Sequence, residues 1–164
     1  MVREILEQMT PVGRRMMAIS IVSFSIYALS SVAMAFVVLA AIHSVLAGSA
    51  DLIPYWIELI CLLLVKGASG IVADKQKHCA GFNLVLKIRI AIVRRLKKLS
   101  LGFYTGERLG EIGDIVHKDI DNMEMVVGHL WTRMAADFIV AAILLAAAIV
   151  VDWRMALLMI STLP

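Results

Sequence analysis

Between residues 16 and 50 the chain has no aspartate, glutamate, lysine or arginine. That absence excludes an ordinary soluble domain for this stretch. About 20 apolar residues cross a hydrocarbon core of roughly 30 Å, and the run is longer than that. Charge is scarce overall as well, at 18% of residues against 61% hydrophobic, where soluble chains sit nearer a quarter charged and half apolar. Cysteine is almost missing. Cys61 lies in an apolar segment and Cys79 in a basic one, with neither metal-ligand spacing nor a disulfide framework, so both read as small hydrophobes. The start does not read as a cleaved signal, whose apolar stretch runs only about 7–15 residues.

What is present has a strong order. Residues 2–10 pattern as a short amphipathic helix, with Ile5, Leu6 and Met9 on one side and Arg3, Glu4, Glu7 and Gln8 toward water. Pro11 and Gly13 break it, and Arg14 and Arg15 mark the membrane edge. We expect residues 1–13 to be an interfacial elbow helix and 14–164 a partial transmembrane domain. A first span covers 16–47, followed by a polar turn at 48–51. A second, weaker apolar stretch covers 52–73 and is interrupted by Glu58 and Lys66.

The character then changes. Lys75, Lys77, Lys87, Arg89, Arg94, Arg95, Lys97, Lys98, Arg108 and Lys118 crowd into residues 74–118. Basic residues concentrate in cytoplasmic loops, so this region and the N-terminus are expected in the cytoplasm, with 48–51 and Asp152 outside. No aromatic set or nucleic-acid-binding fold accompanies the basic run, which argues against nucleic acid as a partner. Val85, Ile88, Ile92, Leu96 and Leu99 recur every three or four residues, one stripe of a helix continuing out of the second span. If helical over 52–101 it would measure about 75 Å, roughly 45 Å beyond the bilayer.

Gly102, Gly106 and Gly110 punctuate the chain around Phe103 and Tyr104. Val116, Ile120, Met123, Val127, Leu130 and Met134 then resume a helical stripe that becomes a third span at 134–151, where Asp137 is the only charge. Asp152, Trp153 and Arg154 form an outer turn, and residues 155–164 begin a fourth span that we expect to continue past this sequence. Two membrane helices thus reach into the cytoplasm and meet at a glycine-bounded turn, a device suited to passing force between a cytoplasmic domain and the membrane. Glu58, Lys66 and Asp137 are the intramembrane charges, and Lys66 and Asp137 fall at similar depth in antiparallel spans. Such ions pair or face a wet cavity, and Lys66 can alternatively snorkel to the cytoplasmic edge. His43, alone near an interface, is more often neither metal ligand nor path-lining group, and the ten methionines are first of all core filling.

Several pieces resemble one family. Leu99-Ser100-Leu101-Gly102-Phe103-Tyr104, then Gly106-Glu107-Arg108-Leu109-Gly110-Glu111-Ile112, then Asp119-Ile120-Asp121-Asn122, is similar to the first intracellular loop of exporter-type (type IV) ABC transporters. Asp152-Trp153-Arg154-Met155-Ala156-Leu157-Leu158, with Pro164 beyond, resembles the start of that family's fourth span. Gly113-Asp114 departs from the family's common Ser-Arg and leaves open which charges meet the motor.

The resemblance implies an all-α membrane protein, part of a six-helix exporter transmembrane domain with long helices extending into the cytoplasm. It implies a multi-pass place in the inner (plasma) membrane and a second half-transporter, identical or related. It also implies a nucleotide-binding domain using ATP and Mg²⁺ outside these residues. The first intracellular loop would cover about 102–118. Glu107, Arg108, Leu109, Gly110, Glu111, Ile112, Asp114 and His117 would form or flank the coupling element that docks on the motor. No Gly-x-x-x-x-Gly-Lys-Ser/Thr phosphate loop occurs, so no catalytic site and no metal site is expected in this chain. Three other readings stay open: a membrane sensor feeding a cytoplasmic output domain, a membrane-embedded enzyme, which these few intramembrane charges support poorly, and a stand-alone permease subunit.

Overall fold

The computed structural model describes residues 9–48, 51–154 and 157. Of the elbow helix expected over 1–13, residues 1–8 lie outside the described residues, and Pro11, Val12 and Gly13 belong instead to the first long helix; of the fourth span only Leu157 is described. Helix is the only regular structure among the described residues, and three helices are long and apolar enough to cross a membrane. They are α1 (Pro11–Leu46), α2 (Ile53–Leu96) and α3 (Gly106–Val151).

Their ends follow from local chemistry. Proline fits the first position of a helix because its missing N–H would have no partner there. Pro11 takes that place, and the Thr10 hydroxyl accepts from the Gly13 amide at 3.0 Å as an N-cap. The helix therefore starts at Pro11, with Gly13 in its first turn. At the other end Gly48 adopts φ +86°, the left-handed conformation that closes a helix and that only glycine enters without strain. The carboxylate of Asp51 accepts from the Ile53 amide at 3.3 Å and opens α2. Asp152 does the same for Arg154 at 2.9 Å beyond α3.

Two boundaries differ from the sequence expectation. α2 stops at Leu96 rather than near 101, because Lys98 and Leu99 donate to carbonyls three residues back and tighten the last turn. α3 begins at Gly106, well ahead of the stripe that resumes at Val116, so Gly110 lies inside a helix. α3 also contains two π-helical stretches, Ile115–Asp119 and Met125–Trp131. The Ile120 amide, for example, donates to the Ile115 carbonyl five residues back. More residues per turn shift the buried face toward a repeat of four: Ile120, Gly128, Thr132, Ala136 and Val140 are buried. Leu130 and Met134, expected on that face, are 53% and 56% exposed for this reason.

The chain divides into two compact units. The first holds Met1–Ile21 and Val72–Arg133. Its core joins Met9, Met17, Ala80 and Leu84, with Met16, Ile21, Ile88 and Trp131 packed against them. The Ser20 hydroxyl donates to the Ala73 carbonyl at 2.9 Å, both residues fully buried. Thr10 donates to the Asn83 side-chain oxygen, tying the start of α1 to α2. α2 and α3 meet at two glycines: a Cβ on Gly128 would lie 3.4 Å from the Lys77 carbonyl oxygen and 3.8 Å from the Gly81 Cα. Here the two backbones approach so closely that a side chain longer than a single Cβ would meet the facing helix.

The second unit holds Val22–Ile71 and Met134–Pro164. Small residues do the packing there. Gly70 sits against the Tyr27 ring, where an added Cβ would come within 3.3 Å. Ser23, Ser25 and Ser30 are buried, while Phe36, Leu39, Leu64, Phe138 and Val150 are exposed. Polar and small groups inside with large apolar groups outside is the inverse of a water-soluble bundle, and it suits helices whose solvent is lipid.

Candidate functional site: the turn between the second and third helices

The turn at residues 97–105 is built by side chains as well as backbone. Leu101–Phe103 makes a single 3₁₀ turn. The Tyr104 hydroxyl reaches back to donate to the Leu96 carbonyl, one of the last carbonyls of α2, which also accepts from the Leu99 amide at 2.9 Å. Phe103 and Tyr104 pack edge to face, ring centroids 5.8 Å apart. The Arg108 guanidinium stands 4.9 Å from the Phe103 ring centroid, within cation–π range.

Thr105 starts α3. Its extended backbone (φ −86°, ψ 159°) and its hydroxyl, accepting from the Arg108 amide, make it the N-cap. Glu107 follows in the first turn, where the helix dipole favours an anion. None of the residues of Gly106–Asp114 is buried.

The candidate coupling residues fall on this segment and just beyond it. Glu107, Arg108, Leu109, Gly110, Glu111, Asp114 and His117 are exposed, and Ile112 is half-buried. Leu109 keeps 52% of its surface open and Ile115 is exposed too, so the apolar side of this helix start is uncovered within the chain. The segment is not a separate short helix. Ile115 keeps right-handed helical geometry, and the helix runs on through it.

Tyr104 and Thr105 are the side chains of this turn that the sequence does not single out. Tyr104 stands in the motif, but nothing in its spacing announces a bond to a carbonyl eight residues earlier. Thr105 does carry a signal, since a threonine ahead of a helical run is an N-cap pattern.

Away from the turn, the Arg89 guanidinium pairs with the Asp121 carboxylate, linking α2 and α3 in the first unit. The imidazoles of His78 and His129 meet edge to face with centroids 4.9 Å apart. In the second unit the Lys66 ammonium stands 5.1 Å from the Tyr27 ring centroid. Glu58, in the same unit, is exposed on α2. Asp137 lies on the α3 part of that unit and is exposed. Among the described residues no three His, Cys, Asp or Glu side chains gather in a way that could hold a metal ion.

The family model for the ABC transporter transmembrane region matches residues 17–164. The chain belongs to that family. No curated protein matches it. As an ABC transporter transmembrane region the chain is an all-α membrane protein and the permease portion of a transporter, in contact with lipid. Family membership thus favours the transporter over the sensor and the membrane enzyme.

Proposed function

We propose that this ABC transporter transmembrane region moves a substrate across the membrane under the drive of ATP hydrolysis, and that the turn between α2 and α3 is where the motor domain pushes. ATP and Mg²⁺ bind on a nucleotide-binding domain outside these residues, and a second half-transporter completes the pathway. The N-terminus and residues 74–118 face the cytoplasm of a cell with this protein in its inner (plasma) membrane.

The observation that carries the reading is the start of α3. A helix beginning with no buried residue, capped by Thr105 and with Leu109 open, offers an apolar knob flanked by Glu107, Arg108 and Glu111. An amphipathic helix surface left uncovered by its own chain suits a groove on a partner. Behind it α2 and α3 are held together at Gly81 and Gly128, so displacement of the knob is passed on as movement of helices rather than absorbed by a loose loop.

The test is made in the complete protein, reconstituted in nanodiscs with spin labels on Leu46→Cys and Asp152→Cys at the outer ends of α1 and α3. ATP with vanadate should shift the distance between the labels in the otherwise unmodified protein. Ile112→Trp and Glu111→Lys should abolish the shift while binding of a fluorescent ATP analogue persists. A full shift in both variants would contradict the assignment of the knob.

A further inference from the structure

We infer that the Tyr104 hydroxyl is a positioning group, the strut that fixes the turn against the end of α2 so that a push on the knob reaches the membrane helices. The inference rests on the proposed role of the turn and names the residue that makes it stiff. The backbone of residues 97–105, between two long helices, would by itself bend. Three side-chain contacts oppose that, and they divide into two sets. Phe103 against Arg108 and the Thr105 cap tie the turn forward to α3. The bond from Tyr104 to the Leu96 carbonyl ties it backward to α2, spanning eight residues.

The backward tie has a specific physical value. The last four carbonyls of a helix have no partner in the helix itself, and water serves them where nothing else does. The Leu96 carbonyl already accepts from the Leu99 amide, and the phenol adds a second donor from beyond the helix, a rigid aromatic lever whose other end packs on Phe103. The Leu96 carbonyl then belongs to both elements. Without the hydroxyl the forward contacts remain, and α3 can pivot about residues 97–100 while the knob stays intact. Force from the motor would then be spent on bending the turn.

The experiment uses the complete protein in nanodiscs, with the same outer-end label pair. Tyr104→Phe removes one oxygen and leaves the ring packing. Its ATP hydrolysis should stay within about twofold of the parent. Amides of residues 97–99 should exchange hydrogen roughly two- to tenfold faster, the range set by loss of one hydrogen bond, while those of 105–109 stay as in the parent. The vanadate-trapped distance shift should be reduced to less than half of the molecules. A parent-like shift overturns the inference, and so does a lost shift with exchange in the turn unchanged, because the turn would then have stayed stiff.

Arg108→Gln, which loosens only the forward tie, provides a second arm: it should speed exchange at 105–109 and leave 97–99 alone. Faster exchange at 97–99 in that variant would also count against separate ties. If the parent itself shows no nucleotide-driven shift, it is the proposed function that fails, and the two failures are told apart.

Discussion

The two units of this chain use the same three helices and hold them by different means. In the first, which carries the basic stretch, α2 and α3 cross closely at Gly81 and Gly128, and named polar contacts link the helices: Thr10 to Asn83, Ser20 to the Ala73 carbonyl, Arg89 to Asp121. Aliphatic side chains such as Met17 and Leu84 fill the space between. In the second, contacts involve small residues and rings, Gly70 on Tyr27 and Lys66 over the same ring, and large apolar side chains point away. Hydrophobic burial drives packing where water is the solvent, whereas helices whose solvent is lipid rely on close approach and a few polar contacts, and the two units differ in that sense.

The largest effect on this contrast should come from the glycine crossing in the first unit. A Cβ at Gly81 would already lie 3.0 Å from the Glu124 Cγ. Gly81→Leu should cost about 3 kcal/mol or abolish assembly, because the added side chain must displace Glu124 and then run into the Glu124 carbonyl and Gly128 Cα, which lie 3.7 and 3.8 Å from that Cβ. Gly128→Ala should be close to neutral. Its Cβ meets the Lys77 carbonyl at an ordinary 3.4 Å, and alanine recovers up to about 1 kcal/mol of helix propensity. Thermal unfolding in detergent would separate the two variants, and equal losses would remove the crossing from the account.

Next come the membrane charges. Tyr27→Leu should destabilise the second unit by about 1 kcal/mol through loss of the cation–π contact with Lys66, and Lys66→Met should cost less in that background than in the parent. Asp137→Asn should lower stability, and adding Lys66→Met should restore part of it if the two residues share one pathway. Losses that simply add would mean they act separately.

The smallest effect belongs to the exposed pair. Arg89 and Asp121 keep 38% and 59% of their side chains in solvent. Arg89→Gln should therefore cost only about 0.2–1 kcal/mol and matter less in high salt. A loss of several kcal/mol would mean that this contact, rather than the glycine crossing, pins the first unit.

The spans were legible because lipid demands long charge-free runs, and nothing in 16–50 contradicts one. The stripe along α2 was legible for a similar reason: Val85 is buried and Ile88, Ile92 and Leu96 are at least half-covered, as their spacing predicts. Leu99 fails because the helix has already ended. The stripe along α3 failed at Leu130 and Met134 because a spacing rule built on 3.6 residues per turn cannot foresee π-helical turns, which depend on how backbone bonds shift inside the fold. At the turn, glycine spacing located the interruption at Gly102 but overstated it at Gly110, where helical neighbours on both sides carry the residue along. The Tyr104 tie was invisible, since one hydroxyl on a distant carbonyl leaves no periodic trace.

The measurement closest to the central claim is the sidedness of the turn. In a background with Cys61→Ala and Cys79→Ala, which removes both native thiols, Lys97→Cys in the complete protein should resist a membrane-impermeant maleimide in intact cells and react once the membrane is opened. Ser49→Cys should react in intact cells. Labelling of Lys97→Cys from outside would put the turn on the wrong side of the membrane for any motor and contradict the account.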